Sequence, residues 1–292
     1  MMCSLVLVAM VSGASSNALP NALPLLVVES KITQYRQAAE SVRQQLHGVS
    51  EIDPAAPALA AKLALAPLVV AVGRKALEAV RPLAKQPVVF CMVLGVAASD
   101  LTRNISGVPM APDPQQALAV LHALAPKARK VGYIHDTDDH DLITDRASAV
   151  AATLGLELVE WPVKDGAEAM VAFDSLLGSI DALYLPPSPQ LFGSELLSYL
   201  LTAAAEHKLP VIGFLDSITQ SGALAAVSPS YGDIGAQAGK LAAEILRRPE
   251  AKRLPVPPVV YAVGRLSLNL KTARVLGLVV PPRLLSTAGE VY

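Results

Sequence analysis

Short, continuously apolar runs alternate along this chain with longer segments in which apolar residues recur every three or four positions. The runs cover 25–28, 68–72, 88–93, 131–134, 156–159, 182–185, 211–214, 223–227 and 259–263. An unbroken run rich in Val, Ile and Leu marks a strand buried on both faces; a half-buried strand would alternate with polar residues. Between most runs lies an amphipathic helix. In the first, Ile32, Tyr35, Ala39, Val42 and Leu46 share one face, and Gln34, Arg36, Gln37, Glu40, Arg43 and Gln44 fill the other. Ala238, Leu241, Ala242, Ile245 and Leu246 repeat the pattern near the end. Before Asp53 only residues 49–52 offer a strand, so the second strand should be short.

Local signals bound these elements. Asp53-Pro54 and Asp113-Pro114 each set an N-cap acceptor before a proline at the first helical position. Gln116, three residues after Asp113, has capping-box spacing. Gly155 and Gly277 read as left-handed helix stops. Strand–helix alternation predicts parallel sheets covered on both faces. Nine runs are more than one sheet holds comfortably, so two doubly wound lobes are expected. Ligands in such folds meet the carboxyl ends of the strands, and two lobes facing each other make a cleft.

Composition narrows the function. A length of 292 residues suits two domains at about 150 residues each. With 52% hydrophobic and 17% charged residues the chain is not a disordered one. A net charge of −1 gives no broad attraction to nucleic acid. Aromatics make up 4%, with Trp161 the single tryptophan, which argues against a stacking platform. Two cysteines exclude a disulfide framework and a cysteine-based zinc site. Cys91 sits in an apolar run and should be a buried thiol.

The apolar stretch 5–11 with small residues after it through Ala18 reads as a secretory leader over 1–18, cleaved after Ala14 or Ala18. No Lys or Arg precedes it, which a usual leader would have. Cys3 would leave with it. The rest of the chain holds no run of about 18 uninterrupted apolar residues, so no membrane-spanning helix is expected there.

Several polar clusters are candidate sites. Gly73-Arg74-Lys75 falls where a strand ends and a helix begins. Cations oppose the positive end of a helix dipole, and their placement there makes sense if an anion docks between them. The plain alternative is a solvated pair. The segment 135–141 has two His and four Asp, which could hold a divalent metal or simply form a polar loop that caps the next helix. Ser30 and Lys31 come after the first strand, Asp136 and Thr137 stand at the lip of the run 131–134, and Ser188 and Asp216 come after two later strands. Residues 235–240 miss the phosphate-loop spacing and lie within a helical period. His47, His122 and His207 fall late in helices with no nucleophile beside them, so no acyl-transfer enzyme, catalytic residue, cofactor or metal is expected.

From Asn104 the order of segments becomes specific: Asn104-Ile-Ser-Gly-Val108, Leu124-Ala-Pro-Lys-Ala-Arg-Lys130, Val131-Gly-Tyr-Ile134 and Asp181-Ala-Leu-Tyr-Leu-Pro186. Next come Leu209-Pro-Val-Ile-Gly213, Ser221-Gly-Ala-Leu-Ala225, Tyr231-Gly-Asp-Ile-Gly-Ala-Gln237 and 268–277 with Pro281-Pro282. This order resembles the substrate-binding proteins of ABC transporters with the type I periplasmic-binding-protein fold, in the branch related to aromatic amino-acid binders. The resemblance implies an α/β fold of two doubly wound parallel-sheet lobes joined by a three-crossover hinge. It divides the chain into a first lobe of 25–105 plus 222–250 and a second of 106–221 plus 251–292. It also implies a ligand held by the facing rims, at Ser30, Lys31, Gly73, Arg74, Lys75, Leu94, Gly95, Asp136, Thr137, Ser188 and Asp216.

The rims depart from the family's pattern. Relatives carry a polar Asp-Pro turn where 92–96 is apolar here, and a small polar pair at Gly73-Arg74-Lys75. An Asn-Pro-Ser-Glu-like loop becomes 135–141, and a polar dyad becomes Pro186-Pro187-Ser188-Pro189. The implied function is a periplasmic solute-binding protein of an ABC uptake system. It would be a monomer that takes a small ligand, with anions in view, and delivers it to a permease in the inner membrane. The alternative is a periplasmic accessory or sensory subunit whose degenerate cleft binds a protein partner.

Overall fold

A computed structural model describes residues 22–136, 142–188 and 193–292. The first sheet is built from β1 (Leu25–Val28), β2 (Ser50–Ile52), β3 (Val69–Val72), β4 (Val88–Cys91) and β5 (Ile105–Val108). All its pairings are parallel, in the order β2-β1-β3-β4-β5. Its connections carry α1 (Thr33–Gln45), α2 (Leu59–Leu65) and α3 (Arg74–Val80). The second sheet comprises β6 (Lys130–Asp136), β7 (Glu157–Val163), β8 (Ala182–Tyr184), β9 (Val211–Gly213), β10 (Ala225–Ser228), β11 (Arg265–Leu268) and β12 (Ala288–Val291). Its order is β12-β11-β10-β9-β8-β6-β7, parallel except where β11 runs against β10. The remaining helices are α4 (Pro114–Leu124), α5 (Leu142–Thr153), α6 (Gly166–Leu176), α7 (Ser194–Glu206), α8 (Asp216–Gln220), α9 (Tyr231–Arg247), α10 (Leu270–Leu276) and α11 (Pro282–Thr287).

The unbroken apolar runs are explained by a core on each face of each sheet. In β1, Leu25 and Val27 enter one cluster while Leu26 and Val28 enter another, all four at 1% exposure or less. In β6, Val131 and Tyr133 face α4 and α5, and Ile134 faces Phe173 and Leu200. Successive side chains point to opposite faces, so a strand covered on both sides favours apolar residues at every position.

Helix α9 belongs to the first lobe, although the strand before it, β10, belongs to the second sheet. It packs along α1 through Gly235 and Gly239. A side chain at Gly235 would run into the backbone of Ala38, and one at Gly239 would lie 2.7 Å from Gln45. Two helices this close need the missing Cβ atoms. The chain thus crosses between lobes three times: after β5, after β10, and before β11. The last crossing is tied to the first by Asp113 N–H donating to the Ala262 carbonyl at 3.1 Å.

Several expectations are corrected. The first lobe extends through Val108, because β5 pairs with β4. Residues 225–228 belong to the second sheet, where β10 pairs with β9, so the first lobe regains the chain only at α9. The run 259–263 is not a strand; it is the third crossing, joined to Pro112 by one bridge at Ala262. Asp53 closes a turn, accepting from Ala55 N–H at 2.9 Å, and the helix begins later at Leu59. Asp113 does cap α4, with Pro114 at its first position. Gln116 does not complete a box, since its amide is used by both backbone groups of Gly264, at 2.7 and 3.0 Å. Gly277 ends α10 at φ 69, a left-handed stop as expected.

Candidate functional site

The candidate site lies beyond the carboxyl ends of the strands. Past β4 the chain enters 92–97, and past β6 it leads to α5. These two meet across the lobes. The N–H of Leu142 donates to the carbonyl of Val96 at 3.1 Å, and the Leu142 side chain leans on the first lobe's core. On another flank, a recess of about 550 Å³ is shared by Gln37, Glu40 and Ser41 of α1, Leu215 beyond β9, and Ser230 and Tyr231 at the second crossing. A larger hollow of about 630 Å³ lies between α7 and α10. Both of those helices belong to the second lobe, so a molecule there could not bridge the lobes.

The first-lobe rim is tightly built. Gly73 follows β3 at φ 92, and a Cβ on it would stand 2.6 Å from the ring of Tyr35. The Tyr35 ring therefore sits on the glycine at the start of α3. Its hydroxyl pKa is raised, mainly by burial and further by the nearby Glu29 carboxylate. Met92 takes φ 57 with its side chain 2% exposed. A left-handed L-residue costs roughly 1–2 kcal/mol, and such strain clusters at functional rims. Gly95 repeats the left-handed turn at φ 57. Together they turn the carbonyls of Leu94 and Gly95 toward Arg74.

Arg74 and Lys75, expected to receive an anion, each already have an acidic partner within the first lobe. Arg74 donates to Asp100 at 2.7 Å and to the carbonyls of Leu94 and Gly95 at 2.8 and 2.6 Å. Its charge is met inside its own lobe by Asp100, which also accepts from Arg81 at 3.0 Å and from Ala97 N–H at 3.2 Å. Lys75 is exposed and pairs with Glu29 at 3.1 Å. Sequence reasoning missed both Asp100 and Arg81. Arg74 opens α3 and Arg81 stands just past its end, and nothing in their local sequence points to Asp100, 26 and 19 positions away.

The other rim residues stand at strand ends. Ser30 and Lys31 form an exposed turn after β1. Asp136 ends β6 half-buried, with its own carbonyl facing Nδ1 of His135 at 3.0 Å. Ser188 is buried beyond β8. Asp216 opens α8. Thr137 and the rest of the acidic loop through Asp141 lie outside the described residues, as does Pro189. Among the described residues no group of three His, Cys, Asp or Glu side chains could hold a metal. Ser228, at the end of β10, has a hydroxyl shielded from solvent and without a hydrogen-bond partner among the described residues. Nothing in its local sequence distinguishes it. No described helix is long and apolar enough to cross a membrane.

Against known proteins, the family described as ABC transporter substrate binding protein matches residues 65–292. A tyrosine-binding protein of Clostridioides difficile (strain R20291) is 31% identical over 155 residues, which is 52% of this chain and 44% of that protein. The match thus spans less than half of that relative's length. A ligand-free, open substrate binding protein with adhesive properties from Clostridium difficile has a TM-score of 0.62 at 20% identity, covering 92% of this chain and 98% of the other. An ABC domain in complex with L-Trp from Streptococcus pneumonia gives 0.60 at 18%, covering 93% and 100%. At these identities the structural matches speak for the fold: two lobes of the periplasmic-binding type.

Proposed function

Since this chain belongs to the ABC transporter substrate-binding protein family, we propose that it is an extracytoplasmic solute-binding protein that closes its two lobes on one small molecule. The observation that carries the reading is the meeting of the two rims beyond β4 and β6, with three crossings behind them. A ligand that touches both rims binds the closed arrangement better than the open one, so it shifts the population toward closure. No bond is made or broken.

The ligand is held between Ser30, Lys31 and the turn at Leu94 and Gly95 on one side and Asp136, Ser188 and Asp216 on the other. Because Arg74 and Lys75 are already paired, a simple anion is a poorer fit than a solute with an amino group as well as an acidic one. Relatives named for tyrosine and crystallised with L-Trp make aromatic amino acids the first candidates. The closed monomer would then be presented to an ABC permease in the inner membrane.

Isothermal titration of the purified full chain against L-tyrosine, L-tryptophan, small carboxylates and nucleosides tests this. One-site binding by an amino acid, with a smaller radius of gyration in the complex, is expected. Heat-silent titrations across the panel with no change in scattering would sink it.

A further inference from the structure

We propose that Arg74 is a positioning residue: backed by Asp100 and Arg81, it sets the 92–97 loop in the shape that meets the second lobe. The loop contains two left-handed residues, Met92 and Gly95, and does not hold that shape by local preference. The fork of Arg74 takes the carbonyls of Leu94 and Gly95 on one nitrogen and Asp100 on the other. Asp100 is 9% exposed at its side chain, and a carboxylate so buried persists only where donors surround it. Arg81 and the Ala97 N–H supply them, so the carboxylate also fixes the far end of the loop.

Directly after Gly95, Val96 is 1% exposed and its carbonyl accepts the Leu142 N–H from the second lobe. The Leu142 carbonyl in turn accepts from the Tyr261 hydroxyl at 3.4 Å, and the Arg146 guanidinium lies over the Tyr261 ring. A continuous line of contacts thus joins Arg74 to the third crossing. A lysine at position 74 would keep a charge near Asp100 but lacks the planar fork that reaches the loop carbonyls as well. The effect on the loop stands by itself; the effect on affinity rests on the solute-binding reading.

Amide hydrogen exchange on the free full-length protein tests the role, comparing wild type, Arg81→Gln and Arg74→Lys. Exchange at Ala97 and Leu142 should rise by about threefold in Arg81→Gln and by about tenfold or more in Arg74→Lys, while β1 and β3 amides keep their protection. Equal exchange at Ala97 and Leu142 in all three proteins overturns the proposal. Should Arg74→Lys fail to fold, Arg81→Gln alone decides, because it weakens only the hold on Asp100 and leaves both carbonyl bonds. L-Tyrosine and L-tryptophan are titrated into the same proteins. A wild type that binds neither, with the exchange series intact, defeats the amino-acid reading and leaves the positioning role standing. A wild type that binds one of them no tighter than Arg74→Lys does overturns the effect of the loop's shape on affinity, while the exchange series decides the positioning role.

Discussion

The two lobes tie down the starts of their strands in different chemical ways. In the first, Asn104 donates its amide to the carbonyls of Ala84 and Gln86, at 3.1 and 3.0 Å, and so joins the entry to β5 with that to β4. In the second, the Asp181 carboxylate accepts from the N–H groups of Arg129 and Lys130, at 2.8 and 2.9 Å, and joins the entries to β8 and β6. One tie is neutral and the other charged. The edges differ too. The first sheet's β3, β4 and β5 are buried throughout, whereas β7 at the edge of the second leaves Trp161 39% exposed and puts Pro162 on a strand with no neighbour beyond it. A buried edge needs no defence, and an exposed one is blunted by proline and charge. The same architecture therefore carries a covered sheet edge at β5 and an exposed one at β7.

The largest expected effect breaks this comparison at the α1–α9 seam. Gly235→Val should remove the folded first lobe, costing more than about 4 kcal/mol, because the new side chain meets the backbone of Ala38. Its second-lobe control is Gly155→Ala, at φ 68 with open space around it, which should cost about 1 kcal/mol. Urea unfolding monitored by circular dichroism separates the two.

Next comes core against edge. Phe90→Ala, at 0% exposure in the first lobe, should cost about 3–5 kcal/mol. Trp161→Ala on the second lobe's edge should stay within about 1 kcal/mol. Equal losses in the same urea titration would mean that β7 is covered in solution.

A smaller effect concerns acid. The Asp181 pKa is lowered, first by the Lys130 and then by the Arg129 backbone N–H, against an ordinary value of 3.8. A depressed folded-state pKa contributes stability above the unfolded value and loses it as pH falls through the folded one. Thermal melts of wild type should thus fall below about pH 4 more steeply than those of Asp181→Asn, while Asn104→Ala should change the melting temperature without changing its pH slope. Parallel slopes for Asp181→Asn and wild type would show that the charged tie does not matter.

The smallest signal is a silence. Burial pushes the Cys91 thiol up to about 12. In a Cys3→Ser chain, Ellman's reagent at about pH 8 should label nothing until the protein is unfolded. Rapid labelling of the native chain would mean that the first lobe opens more readily than its packing implies.

Legibility divides along the same line. The strands at 25–28, 68–72 and 88–93 were plain because each is an unbroken apolar run covered on both faces, whereas β5, equally buried, is interrupted by Ser106 and Gly107 and was not marked. β12 and the outer half of β7 were not, since an exposed edge mixes charge with apolar residues and looks like a loop, and the inner strand β11 was hidden because Arg265 and Ser267 interrupt its leucines. The reverse error occurred at 259–263, where an apolar run serves as a crossing packed on both lobes. On the rims, sequence alone located the strand ends where Ser30, Gly73, Asp136, Ser188 and Asp216 stand. It left Arg74 and Lys75 as free cations, because their partners Asp100 and Glu29 lie 26 and 46 positions away.

The sequence by itself therefore determined the α/β class, the most apolar of the buried strands, the glycine stops, the Asp113 cap and the fate of Cys91, since each depends on a residue and its near neighbours. Only the tertiary structure decided which lobe owns 225–228, how α9 leaves one sheet to pack on the other, and what Arg74 holds. Those outcomes depend on groups far apart in the chain that meet only when two sheets are assembled face to face, and no local pattern encodes such a meeting.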